Sequence, residues 1–176
     1  KAADVLGLEE TRQEYQEIAD RQWRAVKEEY FTSTGRCAVK TQTGLILALK
    51  YHLSENEELT KQMMKKLLRD NKNKLNTGFV GTPLLCNVLT DHGMTDAAYR
   101  LLLNEEYPGW LYEVKLGATT VWERWNSLDE NGHVSSTGMN SLNHYSYGAV
   151  LEWIFCHAAG IDVTEQSPGG RVMRIS

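Results

Sequence analysis

The strongest constraint on this chain is an alternation: helical segments with apolar residues along one side are followed by segments that are apolar almost all the way round. Over residues 9–31, Tyr15, Ile18, Ala19, Trp23, Val26 and Tyr30 recur at helical spacing, which predicts a one-sided helix lying on the outside. Residues 32–35 break it, and Gly44, Leu45, Ile46, Leu47, Ala48, Leu49 and Tyr51 then predict a buried helix. Ser54 followed by Glu57 has capping-box spacing, and Leu59, Met63 and Leu67 predict a second one-sided helix behind it. Gly81, Thr82 and Pro83 offer an N-cap and an early helical proline ahead of Leu84, Leu85, Val88 and Leu89, an apolar helix stopped near Gly93. Thr95 is placed to cap a short helix through Leu103, and Pro108 and Gly109 end it. A last long helix, apolar on most faces, is predicted over 141–159, with Gly160 as its stop.

Alternating amphipathic and apolar helices are what helical hairpins in two concentric layers require, with the apolar helices inside. The fold class is therefore all-α, inner and outer helices alternating, and a helical toroid satisfies it. A bundle or a solenoid gives a similar pattern, although no repeat of fixed period is visible. A chain of 176 residues folds as a single domain, 1–176, burying roughly 70% of the surface the unfolded chain exposes. The near balance of 19 basic and 23 acidic residues, with no long run of either sign, argues against nucleic acid and acidic membranes as partners. No apolar run reaches the roughly 18 to 20 residues needed to span a bilayer. Residues 1–7 lack signal-peptide features, but a chain cut from a longer one does not testify about targeting, so localisation stays open. Cys37, Cys86 and Cys156 are far apart and odd in number, as expected of buried free thiols rather than of disulfides or a zinc site.

Two stretches do not read as helices. Residues 110–120 contain glycine and β-branched side chains, and 126–140 are polar with Gly132 and Gly138, so two long loops are expected around 121–125. Between them Glu123 sits with Trp122 before it and Trp125 just after. Indole faces stack on the C–H faces of sugar rings, and an aromatic wall desolvates a nearby carboxylate in a way that suits acid or base catalysis. The same Glu123 also stands at capping-box spacing from Thr120, where it would only satisfy a helix N-terminus. His144, at the start of an apolar helix, could donate to a ligand hydroxyl or simply cap or pack. The remaining histidines show no metal-ligand spacing and no nucleophile motif of the GxSxG type occurs, so neither a metal nor another cofactor is expected. Asp129 and Glu130 read as a solvated loop face.

Several blocks in order resemble one family. The segment Thr77, Gly78, Phe79, Val80, Gly81, Thr82, Pro83, the block LTDHGMTDAAYRLLL over 89–103, Tyr107 to Trp110, and above all GATTVWERW from Gly117 are similar to bacterial α-L-rhamnosidases of glycoside hydrolase family 78. Thr41, Gln42 and Thr43, and the run Ser141, Leu142, Asn143, His144, Tyr145 with Gly148, fit the same family. The resemblance runs from about residue 20 to the end. It implies part of an (α/α)6 barrel, its C-terminal half, and inverting hydrolysis of terminal α-L-rhamnose from glycosides or oligosaccharides. Glu123 is then the general base and His144 a sugar contact, with Trp110, Trp122 and Trp125 as candidates for the pocket wall.

Inversion needs a base on one face and an acid on the other, roughly 6.5 to 9.5 Å apart. The family's acid lies in an earlier motif that nothing in this chain matches, so the isolated chain is expected to have low activity. Residues 161–176, with Ser167, Pro168, Gly169 and Gly170, are expected to begin an exit into a β-sandwich. A half-barrel would leave apolar surface bare, and self-association is expected of it. The competing expectation is a non-catalytic helical module that binds carbohydrate or a partner protein.

Overall fold

In the computed structural model, which describes residues 1–135, 138–164 and 170–176, the helices are α1 (Ala2–Val5), α2 (Glu9–Tyr30), α3 (Gln42–Lys50), α4 (Glu57–Asp70), α5 (Thr82–Asp91), α6 (Thr95–Leu102), α7 (Trp110–Lys115) and α8 (Val150–Trp153). A 3-10 turn (Ser146–Ala149) leads into α8 and a π segment (Ile154–Ala158) leaves it. The predicted alternation is present. α3 packs against α4 on one side and α5 on the other, and α5 also meets α6, the 3-10 turn and α8. The apolar helices carry the core: Leu45, Ile46 and Leu49 of α3 and Leu85, Val88 and Leu89 of α5 are buried, while α4 and α6 turn one stripe inward and the rest to solvent. α2 buries none of its residues, as a helix with a single weak apolar stripe should not.

Polar clamps fix the inner layer. Buried Gln42 donates to the Lys74 carbonyl and accepts from the Asn76 amide, both at 2.8 Å, so the connection from α4 to α5 is tied to the start of α3. The hydroxyls of Thr77 and Thr82 bond each other at 2.8 Å, and a Cβ on Gly81 would lie 2.4 Å from the Thr43 hydroxyl oxygen. Glycine at 81 is therefore what lets the two inner helices approach at their N-terminal ends.

The structure corrects several helix boundaries. Asn56 caps α4 by accepting from the Leu59 amide, while Ser54 bonds the Gly35 carbonyl and the Asn56 amide. Glu57 is thereby freed from the expected capping box, and its carboxylate meets the rings of His52 and His92 instead. The buried face of α4 is centred on Thr60, Met64 and Leu68, one residue beyond the expected stripe, because the Thr60 hydroxyl is satisfied by the Asn56 carbonyl and can face inward. Gly81 and Met94, rather than Thr82 and Thr95, occupy the N-cap positions of α5 and α6. Residues 110–115, read as loop, form α7, whose inward side is Trp110 and Glu113. The last helix begins at Ser146 rather than 141, because residues 141–144 pair with another segment. Cys37 and Cys86 are buried free thiols as expected, whereas Cys156 is only half-buried. Beyond Gly160, β1 (Ile161–Val163) and β2 (Met173–Ile175) pair antiparallel, Ile161 opposite Ile175. Ser167, Pro168 and Gly169 lie outside the described residues.

Candidate active site

Two stretches about twenty residues apart in sequence run side by side next to residues 77–79, ahead of the N-terminus of α5. The His144 amide donates to the Val121 carbonyl at 2.7 Å, the Glu123 amide donates to the Ser141 carbonyl at 2.9 Å, and the Thr120 hydroxyl donates to the Leu142 carbonyl. Every one of these bonds crosses between segments, so residues 120–123 satisfy their polar groups without starting a helix. The Thr120–Glu123 capping box is accordingly absent.

The pairing sets Glu123 and His144 on adjoining segments. Glu123 is half-buried, and its Oε2 accepts from the Ser141 amide at 2.7 Å. Its Oε1 makes no hydrogen bond to any described residue. One oxygen anchors the carboxylate; the other is available to a ligand or a water. His144 is also half-buried, its ring stacked on Phe79 with centroids 4.9 Å apart and planes 10° off parallel. The Ser146 amide donates to its Nδ1 at 3.3 Å, which in the neutral ring puts the proton on Nε2. His144 thus presents a donor, held by stacking, on the segment that pairs with the one carrying Glu123.

The tryptophans are more deeply buried than either of these residues. Trp110, Trp122 and Trp125 are 9%, 2% and 7% exposed. Tyr147 stacks on Trp125 with centroids 3.9 Å apart, and Trp110 meets Trp125 edge-on at 5.3 Å. The Trp110 indole donates to the Tyr147 carbonyl at 2.9 Å and the Trp125 indole to the Thr77 carbonyl at 3.1 Å. Faces expected to lie open to a sugar are instead largely occupied by protein: all three rings are buried, and the indole N–H groups of Trp110 and Trp125 have found backbone acceptors inside the core. Arg124 points the other way, donating to the carbonyls of Met139 and Gly138 and tying down the loop after it.

Sequence reasoning missed Glu113. It is 4% exposed, and its Oε1 is buried without a hydrogen bond. Burial pushes its carboxyl up to about 8 from 4.5, against the opposing pull of the Trp122 backbone amide. The signal was a lone acidic residue inside the apolar string Trp110, Leu111, Tyr112, Val114, which was read as loop.

Asp129 and Glu130 are exposed, as expected, and Asp129 accepts from the Asn131 and His133 amides in its own turn. They edge a cleft of about 590 Å³ with Tyr107, Tyr112 and His133, which neither Glu123 nor His144 lines. Among the described residues, no group of acidic, histidine and cysteine side chains is spaced to hold a metal, and no helix is long and apolar enough to cross a membrane.

The family described as the bacterial alpha-L-rhamnosidase 6 hairpin glycosidase domain matches residues 1–158. An alpha-L-rhamnosidase of Formosa agariphila is 42% identical over 92% of the chain. Among solved structures, the Streptomyces avermitilis alpha-L-rhamnosidase complexed with L-rhamnose superposes on 85% of the chain with a TM-score of 0.79 and 38% identity. The native enzyme of Aspergillus terreus superposes on 99% with a TM-score of 0.92 and 34% identity. The chain spans 18% of the Formosa protein and 15% and 20% of the two solved chains. The hairpins α3–α4 and α5–α6 are accordingly part of an all-α barrel.

Proposed function

The chain belongs to the bacterial alpha-L-rhamnosidase six-hairpin glycosidase family, and from that premise we propose that the protein carrying it hydrolyses terminal α-L-rhamnose from glycosides with inversion. The observation that carries the reading is the state of the Glu123 carboxylate: one oxygen is fixed by the Ser141 amide, the other has no partner among the described residues, and the segment it pairs with leads to a stacked histidine. In the proposed reaction the open oxygen takes a proton from water as that water forms a bond to the anomeric carbon. The bond to the leaving oxygen breaks on the opposite face, and an acid from outside this chain delivers the proton to it. His144 donates from Nε2 to a sugar hydroxyl. Trp110, Trp122 and Trp125 form the wall from behind, holding the backbone of Glu123 and the ring of Tyr147 rather than stacking on the sugar.

The small share of each relative that the chain covers supports a further reading, that residues 1–158 are the C-terminal half of the barrel and that the acid lies in the other half. Taken alone, the 176-residue chain would then associate with itself, since α2 buries nothing and leaves Tyr15 and Trp23 exposed; sedimentation reads this directly. The catalytic reading is tested by giving the intact protein 4-nitrophenyl α-L-rhamnopyranoside and following the product by proton NMR. Release of β-rhamnose before mutarotation is expected. First release of the α anomer removes inversion, and no release of nitrophenol removes the activity.

A further inference from the structure

A file of six rings runs from the core to the surface and ends at His144 and Tyr145. Trp110 meets Trp125 edge-on, Trp125 stacks on Tyr147, and Tyr147 meets Phe79 at 5.5 Å with the planes 52° apart. Phe79 then stacks on His144, and His144 on Tyr145, each pair with centroids 4.9 Å apart and planes 10° and 14° off parallel. Trp110, Trp125 and Tyr147 are buried, whereas Phe79 is 45% and Tyr145 84% exposed. The Tyr145 ring meets no other ring among the described residues, so it rides on the imidazole and does not anchor it. Phe79 is the ring that joins His144 to the anchored end of the file. We propose that Phe79 is a positioning residue for His144, its face fixing the plane of the imidazole and with it the direction in which Nε2 donates. The substrate-binding part of this proposal rests on the sugar-contact role of His144; the placement of the ring does not.

The imidazole needs such a support. Its one hydrogen bond to protein among the described residues is the 3.3 Å contact from the Ser146 amide to Nδ1, and a single long bond leaves the ring free to tilt about it. A parallel ring against its face removes that tilt. Phe79 is itself well placed to resist movement, because the turn that carries it is tied on both sides. The Thr77 carbonyl accepts from the Trp125 indole at 3.1 Å, the Gly78 carbonyl accepts from the Thr82 amide at 3.0 Å, and the hydroxyls of Thr77 and Thr82 bond each other. The segment before α5 thereby reaches the segment before α8 through one phenyl face. Leucine would keep an apolar side chain at 79 without offering a flat surface, whereas tyrosine would keep the surface. Orientation matters for binding, since a hydrogen bond weakens steeply as the donor swings off line.

Nitrogen-15 NMR of the histidine rings tests the placement without reference to activity, on the intact protein as wild type, Phe79→Leu and Phe79→Tyr, with the His144 signals identified by their loss in His144→Ala. In the neutral ring, wild type and Phe79→Tyr should show one tautomer with the proton on Nε2, and Phe79→Leu a mixture, because the tilted ring loses the Ser146 amide. A single tautomer retained in Phe79→Leu overturns the proposal, and so does a mixture in Phe79→Tyr. Turnover supplies the second readout. KM for an aryl rhamnoside should rise about three- to fivefold in Phe79→Leu with kcat changing less than about twofold, and Phe79→Tyr should restore it. In a His144→Ala background the same Phe79→Leu change should leave KM where it is; effects that multiply independently overturn the positioning role. Tautomers that behave as expected in a protein inert towards aryl rhamnosides leave the placement of His144 intact and remove the proposed function instead.

Discussion

Glu113 lies on the inward side of α7, almost fully enclosed, with one oxygen lacking a partner among the described residues; Glu123, ten positions on, lies half-buried on an extended segment with one oxygen fixed and the other unpartnered among those residues. The two side chains are chemically the same. What separates them is the local route of the backbone. A helix turns Glu113 into the core beside Trp110, while cross-segment pairing with Ser141 and His144 keeps Glu123 at an edge. Environment separates what the two can do: the enclosed carboxyl is held towards its neutral form, and the edge carboxylate is the one placed for the proposed proton transfer.

The contrast can be broken from either side. The largest effect belongs to Glu123→Gln in the intact protein, where kcat on an aryl rhamnoside should fall by about 10²- to 10⁴-fold while L-rhamnose binding, followed calorimetrically, stays within about threefold. Glu113 acts next, through stability. Its folded value near 8 stands above the ordinary 4.5, so the folded state holds a proton the unfolded chain has released, and stability is lost as pH rises between those values. Urea unfolding of the wild type should therefore lose up to on the order of 5 kcal/mol more across that window than Glu113→Gln does. His144→Ala comes third, with KM for the aryl rhamnoside raised about tenfold by the loss of one donor to a sugar hydroxyl. Arg124→Met should be mildest, costing about 1 kcal/mol in urea unfolding because it frees only the carbonyls of Gly138 and Met139.

The inner helices were legible in the sequence because burial on all sides leaves a run such as Leu45, Ile46, Leu47, Ala48, Leu49, which nothing in solvent would favour. Caps were less legible, since Ser54, Asn56 and Thr95 all have capping chemistry and tertiary contacts chose among them. α7 was hidden by its length, six residues between a proline-glycine pair and a glycine, and its formation depends on Trp110 anchoring to Tyr147. Glu123 stood out through the resemblance of its surrounding block, whereas its spacing from Thr120 suggested a cap that the fold does not make. Glu113 was not visible as a functional candidate. Its significance is created by enclosure, and charge in a segment read as loop normally means exposure.

Chemical rescue reaches the proposed base most directly. In Glu123→Ala the water at the anomeric carbon has lost its proton acceptor, while azide, an anion needing none, can attack from the same face. Azide should restore turnover of an activated aryl rhamnoside and yield β-rhamnosyl azide. Formation of the α-azide, or wild-type hydrolysis by Glu123→Ala without azide, would show that Glu123 does not serve the attacking water.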